Sequence, residues 1–369
     1  MPLSKIQDIG NQVVPTLGPR NAIINGAMQV SQRSTSEAAL GNVSTDIVRT
    51  VDRIKFSHDS TTGRITMSQN SPTDLPGFTK SVKLQVTTAL ASPAAGNYIQ
   101  LKYGFEGQQL QHFAKGTSTA KVMALSFYVK GNGNATYMCE LEDHDNGRNN
   151  QQQFSVTSSW NRVQLLYAGD TTGAFGNDAN LSMSIIFWLV AGSTYSGGSY
   201  TANTWASPTT NKRAAGISNL YSSTSNFIEI TGLQLEPIQV TEFEHELYAV
   251  TYEKARRYYQ QTSSNVQSPG FNYDMKPMCS YRFPVTMRAA PTVALISGAY
   301  ADGNSSDNGG FSQKSGFGAI GFTSPTSANF NTGTEYFRFH YQGGSFNSNP
   351  SEEGNGLMAN IAASMDAEL

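Results

Sequence analysis

The chain is punctuated from end to end by clusters of Gly, Pro, Ser, Thr and Asn, and between them lie short runs of branched and aromatic residues with no helical period. Such runs fall at 52–58, 64–69, 81–88, 98–103, 120–130, 135–142, 160–167, 181–190 and 227–235. Apolar residues that alternate or run briefly between turn signals read as strands. Nine or ten of them over about 210 residues suit one antiparallel jelly-roll sandwich. The run Asn21–Val30 reads as two short strands about an Asn-Gly turn. Ser184–Val190 is almost continuously apolar, as in a strand covered on both faces. Trp160 and Trp188 lie in or beside such runs and are expected in the core.

Residues 227–261 hold the one change of texture. The β run 227–235 ends near Pro237, and from Glu246 to Gln260 there is neither Gly nor Pro. Leu247, Val250, Ala255, Tyr258 and Tyr259 form an apolar stripe at helical spacing, and Glu253 stands four before Arg257 as a supporting pair. A helix this short is marginal alone, so 245–262 is expected to connect two β domains. The chain then divides into an arm at 1–20, a jelly roll at 21–244, the connector, and a small C-terminal β-sandwich at 263–369. In that last part strands are expected at 280–283, 291–297, 318–323, 335–341 and 357–365. The fold class is all-β.

Composition agrees. Charged residues are only 14% and the net charge is −2, so no basic footprint for nucleic acid exists. No stretch approaches the roughly 18 apolar residues of a membrane helix, and the N-terminus lacks a secretory pattern. Cys139 and Cys279 stand alone without a disulfide framework and read as free buried thiols.

Signals for chemistry were weighed against plainer readings. Gly316–Gly321 has dinucleotide-loop spacing, but no helix follows and no acid stands about 20 residues on. Phosphate-loop, nucleophile-elbow and zinc-helix motifs are missing, and the five histidines have no ligand spacing. No catalytic residue, cofactor or metal site is expected. The acidic stretch Glu140–Gly147 invites calcium, but a solvated β-turn is the preferred reading because the ligand pattern fails. Tyr195, Tyr200 and Trp205 sit in a polar loop and are candidates to stack on sugar rings. Loops on the C-terminal domain suggest Tyr300, Asp302, Asp307, Phe346 and Glu352 as receptor contacts.

Several segments carry a resemblance. NAIING (21–26), SFYVK (126–130), SWNRV (159–163) and ITGLQLE (230–236) resemble, in order, the strands of galactose-binding-like carbohydrate-binding jelly rolls. INGAMQVSQR (24–33), FEHEL (243–247), ARRYY (255–259) and DAEL (366–369) are similar to segments of bacteriophage virion proteins, especially those of marine phages. The likeness covers nearly all the chain from Asn21. It departs where Ala255-Arg256 replaces the family's frequent Cys-Gln and where Glu246 replaces Arg. It implies a fibre or appendage protein of the virion, a tail fibre above all, that assembles as a homotrimer. It would attach to tail, collar or head proteins by residues 1–20, with Leu3, Ile6, Ile9, Val13 and Val14 as anchor contacts. Its distal domain would meet a host surface glycan or protein. The alternative is a stand-alone carbohydrate-binding module or a non-catalytic relative of a polysaccharide-degrading tailspike.

Overall fold

The computed structural model describes residues 20–262, 278–302, 330–340 and 357–369. The chain forms two compact units. The first holds the residues up to and including Gln29, with Ser36–Ile47 and Lys55–Glu246; the second holds Val30–Thr35, Val48–Ile54 and the chain from Leu247.

In the first unit the strands are β1 (Ser36–Leu40), β2 (Thr45–Val48), β3 (Lys55–His58), β4 (Arg64–Asn70), β5 (Ser81–Thr88), β6 (Tyr98–Glu106), β7 (Met123–Gly131), β8 (Ala135–Asp143), β9 (Arg148–Val156), β10 (Asn161–Tyr167), β11 (Leu181–Ala191) and β12 (Phe227–Pro237). They build two six-stranded sheets, ordered β1-β4-β5-β12-β7-β10 and β2-β3-β6-β11-β8-β9, with antiparallel pairing. This is the expected jelly-roll sandwich. Ile65, Met67, Leu84, Leu125 and Phe127 of one sheet, with Leu101, Tyr103, Leu141, Ile185 and Phe187 of the other, are all at most 3% exposed. Edge-on aromatic pairs, Phe127 with Phe154 and with Phe187, lock that core.

The strands expected from alternation are present, and three more join them: β1, β2 and β9. Asn21–Val30 is not a hairpin. Its residues run as a coil along β12, where Ala22 N donates to Leu235 O and Leu233 N donates to Gly26 O. The Asn21 side chain accepts from Leu235 N and donates to Leu233 O. A Cβ on Gly26 would come within 2.1 Å of Leu233 O, so only glycine allows the approach. Gly232, at φ +61°, sits at the bulge where β12 changes register against β7. Glu244 completes this seam by accepting from the amides of Arg20 and Asn21. Phe243 and His245 stack with Phe78. The resembling motifs NAIING, ITGLQLE and FEHEL therefore meet as one structural joint.

Trp160 departs from expectation. It is half-buried, and its indole donates to Asp74 at 2.9 Å; it opens the edge of β10 rather than filling the core. Trp188 is 1% exposed, as expected. Cys139 is a buried free thiol, its pKa pushed up to about 12 by burial.

In the second unit α2 (Tyr248–Arg256) leads into β13 (Tyr259–Gln261). The further strands are β14 (Met278–Arg282), β15 (Thr292–Asp302), β16 (Phe330–Thr332), β17 (Tyr336–His340) and β18 (Leu357–Asp366). They form two three-stranded antiparallel sheets, β13-β18-β15 and β14-β17-β16. The expected strand at 318–323 lies outside the described residues. The helix differs from its expected stripe. Ala255 is buried, and so are Tyr258 and Tyr259 beyond its end, but Leu247 is 77% and Val250 42% exposed. Glu253 pairs with Arg256 at 3.1 Å, one residue nearer than the expected Arg257.

Among the described residues of this unit, charged side chains are buried together. Arg53, 2% exposed, lies over the Tyr258 ring at 3.4 Å and pairs with Glu368. Arg33 lies over Tyr259 at 3.6 Å and pairs with Asp366 at 2.8 Å. Asp52 accepts from the amide and side chain of Gln32. SQR, VDR, RRYY and DAEL thus converge on one clasp.

Candidate functional site

Alternation along a strand sends every second side chain outward, and the outer face of the second sheet of the sandwich collects an unusual set. Register places Lys55 opposite Lys102, Lys102 opposite Ile186, Ile186 opposite Glu140 and Glu140 opposite Gln151. The next rung runs Gln100, Trp188, Met138 and Gln153. On the other side, Gly104 faces Ser184 and Ser184 faces Glu142.

The floor of this face is buried. Gln100, Glu140, Ser184, Ile186 and Trp188 are at most 5% exposed. Burial pushes the Glu140 carboxyl up, while Arg213 and Asn149 pull it back toward the charged form. Its oxygens accept from Arg213 Nε at 2.9 Å, Asn149 Nδ2 at 2.6 Å and Trp188 Nε1 at 2.7 Å. Those donors are what favours the charged form against burial.

The rim is accessible and charged in pairs. Asp46 stands 3.6 Å from Lys55 and 3.4 Å from Lys102. Burial lowers the Lys102 pKa against the upward pull of Asp46. Arg213 reaches Glu142 at 2.7 Å. His144 meets the Ser184 hydroxyl at 2.8 Å, and burial holds its imidazole below the usual range. Three rim cations, Lys55, Lys102 and Arg213, stand against the rim anions Asp46 and Glu142 and the buried Glu140 beneath them, so the face offers both donors and acceptors.

Residues 192–219 roof the other end. α1 (Ser193–Ser196) starts this segment, Ala206 bridges to Asn149, and Arg213 is drawn down onto Glu140. Tyr195 packs on Trp188 and, edge-on, on Tyr98, with ring centroids at 5.2 and 5.6 Å. Tyr200 joins the same apolar group. Along β6, Tyr98 and Lys102 lie four residues apart, roughly 13 Å. One face therefore carries an aromatic end and a charge-paired end.

Of the sequence candidates, Tyr195 and Tyr200 come together at this aromatic end, each half-buried rather than fully presented. Trp205 does not join them. Its indole donates to Ala168 O at 2.6 Å and its ring lies 5.5 Å from the Lys115 ammonium. Tyr300 and Asp302 fall in β15. Asp307, Phe346 and Glu352, and the anchor residues Leu3, Ile6, Ile9, Val13 and Val14, lie outside the described residues. The acidic stretch is not a wholly solvated turn: Asp143 is buried and 2.6 Å from Lys115 Nζ. Among the described residues no group of three His, Cys, Asp or Glu is placed to hold a metal ion.

Sequence reading missed Asp46, Lys55, Lys102, Glu142 and Arg213. Outward alternation in 98–103 and 135–142 marks Lys102 and Glu142, but only strand order shows that they share a face.

No family model matches the chain, and no curated protein matches it. Solved structures do. A putative sugar-binding protein from Bacteroides thetaiotaomicron is 12% identical, with 59% of this chain and 99% of that one covered at a TM-score of 0.31. TmCBM61, solved with β-1,4-galactotriose, is 8% identical over 59% of this chain and 99% of its own, at 0.29. The family 11 carbohydrate-binding module of a Clostridium thermocellum cellulosomal cellulase is 12% identical over 55% and 99%, at 0.27. These likenesses are loose and assign no ligand to this chain.

Proposed function

We propose that this chain is a non-catalytic, glycan-contacting fibre protein of a phage virion, a tail fibre above all, and that its sandwich meets sugar on the outer face of the second sheet. The observation that carries the sugar contact is the continuity of that face. Tyr98 and Tyr195 offer ring edges at one end, and Lys55, Lys102, Asp46, Glu142 and Arg213 offer charge-paired donors and acceptors at the other. Sugar hydroxyls both donate and accept, and an array whose charges are already paired can serve them without leaving a buried charge unpaired. Strands hold Tyr98, Lys102 and Glu142 in place, and ion pairs hold Arg213, so little ordering is lost on binding. Display in several copies, as a homotrimer anchored by residues 1–20, would turn weak single contacts into firm attachment. The distal unit remains a second surface for a host glycan or protein.

A glycan array and host-cell binding test this reading with the full chain, Lys102→Ala, Lys55→Ala and Glu142→Gln. Each substitution is expected to weaken sugar binding about tenfold, the scale of one charge-assisted hydrogen bond, with the fold intact by circular dichroism. Glycan binding that survives the triple variant would refute the assigned face. Deletion of residues 1–20 separates the fibre from a stand-alone carbohydrate-binding module. A fibre loses incorporation into particles; a module loses nothing.

A further inference from the structure

Lys115 follows Ala114, which turns the chain at φ +53°, and its side chain runs inward until it is 1% exposed. Four oxygens surround Nζ: Asp143 Oδ2 at 2.6 Å, Asp170 Oδ2 at 3.2 Å, Thr172 O at 2.9 Å and Gly173 O at 2.8 Å. Both carboxylates are themselves fixed. Asn146 donates to Asp143 from its amide and its side chain, and Arg148 Nε donates to Asp170 at 2.7 Å. Gly173 turns its carbonyl inward at φ +71°, where a Cβ would strike Asn146 Oδ1 at 2.2 Å. Phe175 and Trp205 flank the ammonium at 5.2 and 5.5 Å.

An ammonium has three protons, and this shell gives it four oxygens of two kinds, carboxylate and peptide carbonyl. Those are the ligands of hard cations. The oxygens come from two separate stretches of chain, at 143 and at 170–173, and the lysine from a third, so the ion at the centre is what ties them together. We propose that the oxygen shell around Lys115 Nζ is a hard-cation site whose occupant is the tethered ammonium, and that it takes a calcium-sized divalent ion from solution once that side chain is cut back. In the native protein the lysine makes this end of the sandwich independent of dissolved metal. Without the ammonium, two carboxylates face one guanidinium and the site is left with net charge −1, which attracts a cation.

The test compares the wild type, Lys115→Ala and Lys115→Met by thermal melting in chelator and in saturating calcium chloride. Lys115→Ala is expected to melt about 10 °C lower in chelator, the scale of a broken buried ion pair in a domain of this size. Calcium is expected to restore at least half of that loss, and magnesium, which dehydrates reluctantly, much less. Lys115→Met keeps the stem that fills the space and is expected to lose stability without rescue.

Terbium, a calcium-sized luminescent ion, gives a readout that stability alone does not. Trp205 is close enough to sensitise it in Lys115→Ala, and emission is expected to vanish when Asp143→Asn or Trp205→Phe is added. Should Lys115→Ala fail to fold in chelator, refolding in calcium is expected to recover it. A variant as stable as wild type in chelator, a loss that calcium does not repair, or terbium emission equal in wild type and Lys115→Ala would each overturn the proposal.

Discussion

The sandwich and the second unit both bury charge, and they do so in different settings. In the sandwich the ion pairs sit at the margin of a large apolar core: Glu140 with Arg213 outside the sheet, Lys115 with Asp143 and Asp170 beneath the loops. Remove them and two six-stranded sheets still have their interior. In the second unit the described apolar core holds Val30, Val48, Val51, Ile54, Ala255, Tyr258, Tyr259, Phe283, Met287, Ala363, Met365 and Ala367. There the charges are buried together. Arg33 and Arg53 lie on tyrosine faces and reach Asp52, Asp366 and Glu368.

Arg53→Ala should break this contrast hardest. It leaves buried Glu368 with only the longer contact to Arg33 at 3.6 Å and empties the space over Tyr258, at a cost of about 3 kcal/mol to the second unit. The three tryptophans all belong to the sandwich, so their fluorescence should melt unchanged while limited proteolysis cuts the second unit at lower denaturant. A matched loss in tryptophan fluorescence would erase the distinction.

Asp52 sharpens the contrast through pH. Burial raises its carboxyl from 3.8 to about 6, against the pulls of Gln32 and Arg33. The folded state then holds this proton more tightly than the unfolded chain does. Its contribution is therefore greatest below about pH 4, falls as pH rises to about 6, and is level above. The full span is up to about 3 kcal/mol. Asp52→Asn should flatten that slope in the second unit's denaturation midpoint between pH 4 and 7, leaving the sandwich's own profile as it was.

Glu140→Gln is the counterpart in the sandwich. It replaces a charge that three donors address with a neutral amide, at about 2 kcal/mol. Tryptophan fluorescence should report it, because Trp188 is one of those donors. At the small end, Glu253→Ala removes an exposed pair on α2 and should shift stability by less than about 0.5 kcal/mol by circular dichroism.

The same division decides what could be read in advance. Sandwich strands with one apolar face announce themselves, and those at 64–69, 81–88 and 135–142 match β4, β5 and β8 closely. β9 escaped because RNNQQQFSV is polar on both faces for its first six residues, with apolar side chains only at Phe154 and Val156. Its outward Asn149 serves Glu140, and its Gln152 donates to Leu166 O. β1 and β2 escaped because they are short and largely exposed. Tyr195 and Tyr200 were marked by composition alone, which shows an aromatic in a polar loop but not whether that loop folds onto Trp188. The clasp shows the limit in full. Its motifs stand out in the sequence, yet nothing local says that Arg33 seeks Asp366, or that Arg53 seeks Glu368.

That pairing also sets a clock. Arg53 and Glu368 are 315 residues apart, and at ribosomal rates of about 5–20 residues per second the first waits roughly 15–60 s for the second to be made. The last sandwich strand ends at Pro237, so the sheets can close well before that. Throughout the interval 30–35 and 48–54 hang from a finished sandwich with their arginines unmet, and the second unit is the last part of this chain to become itself.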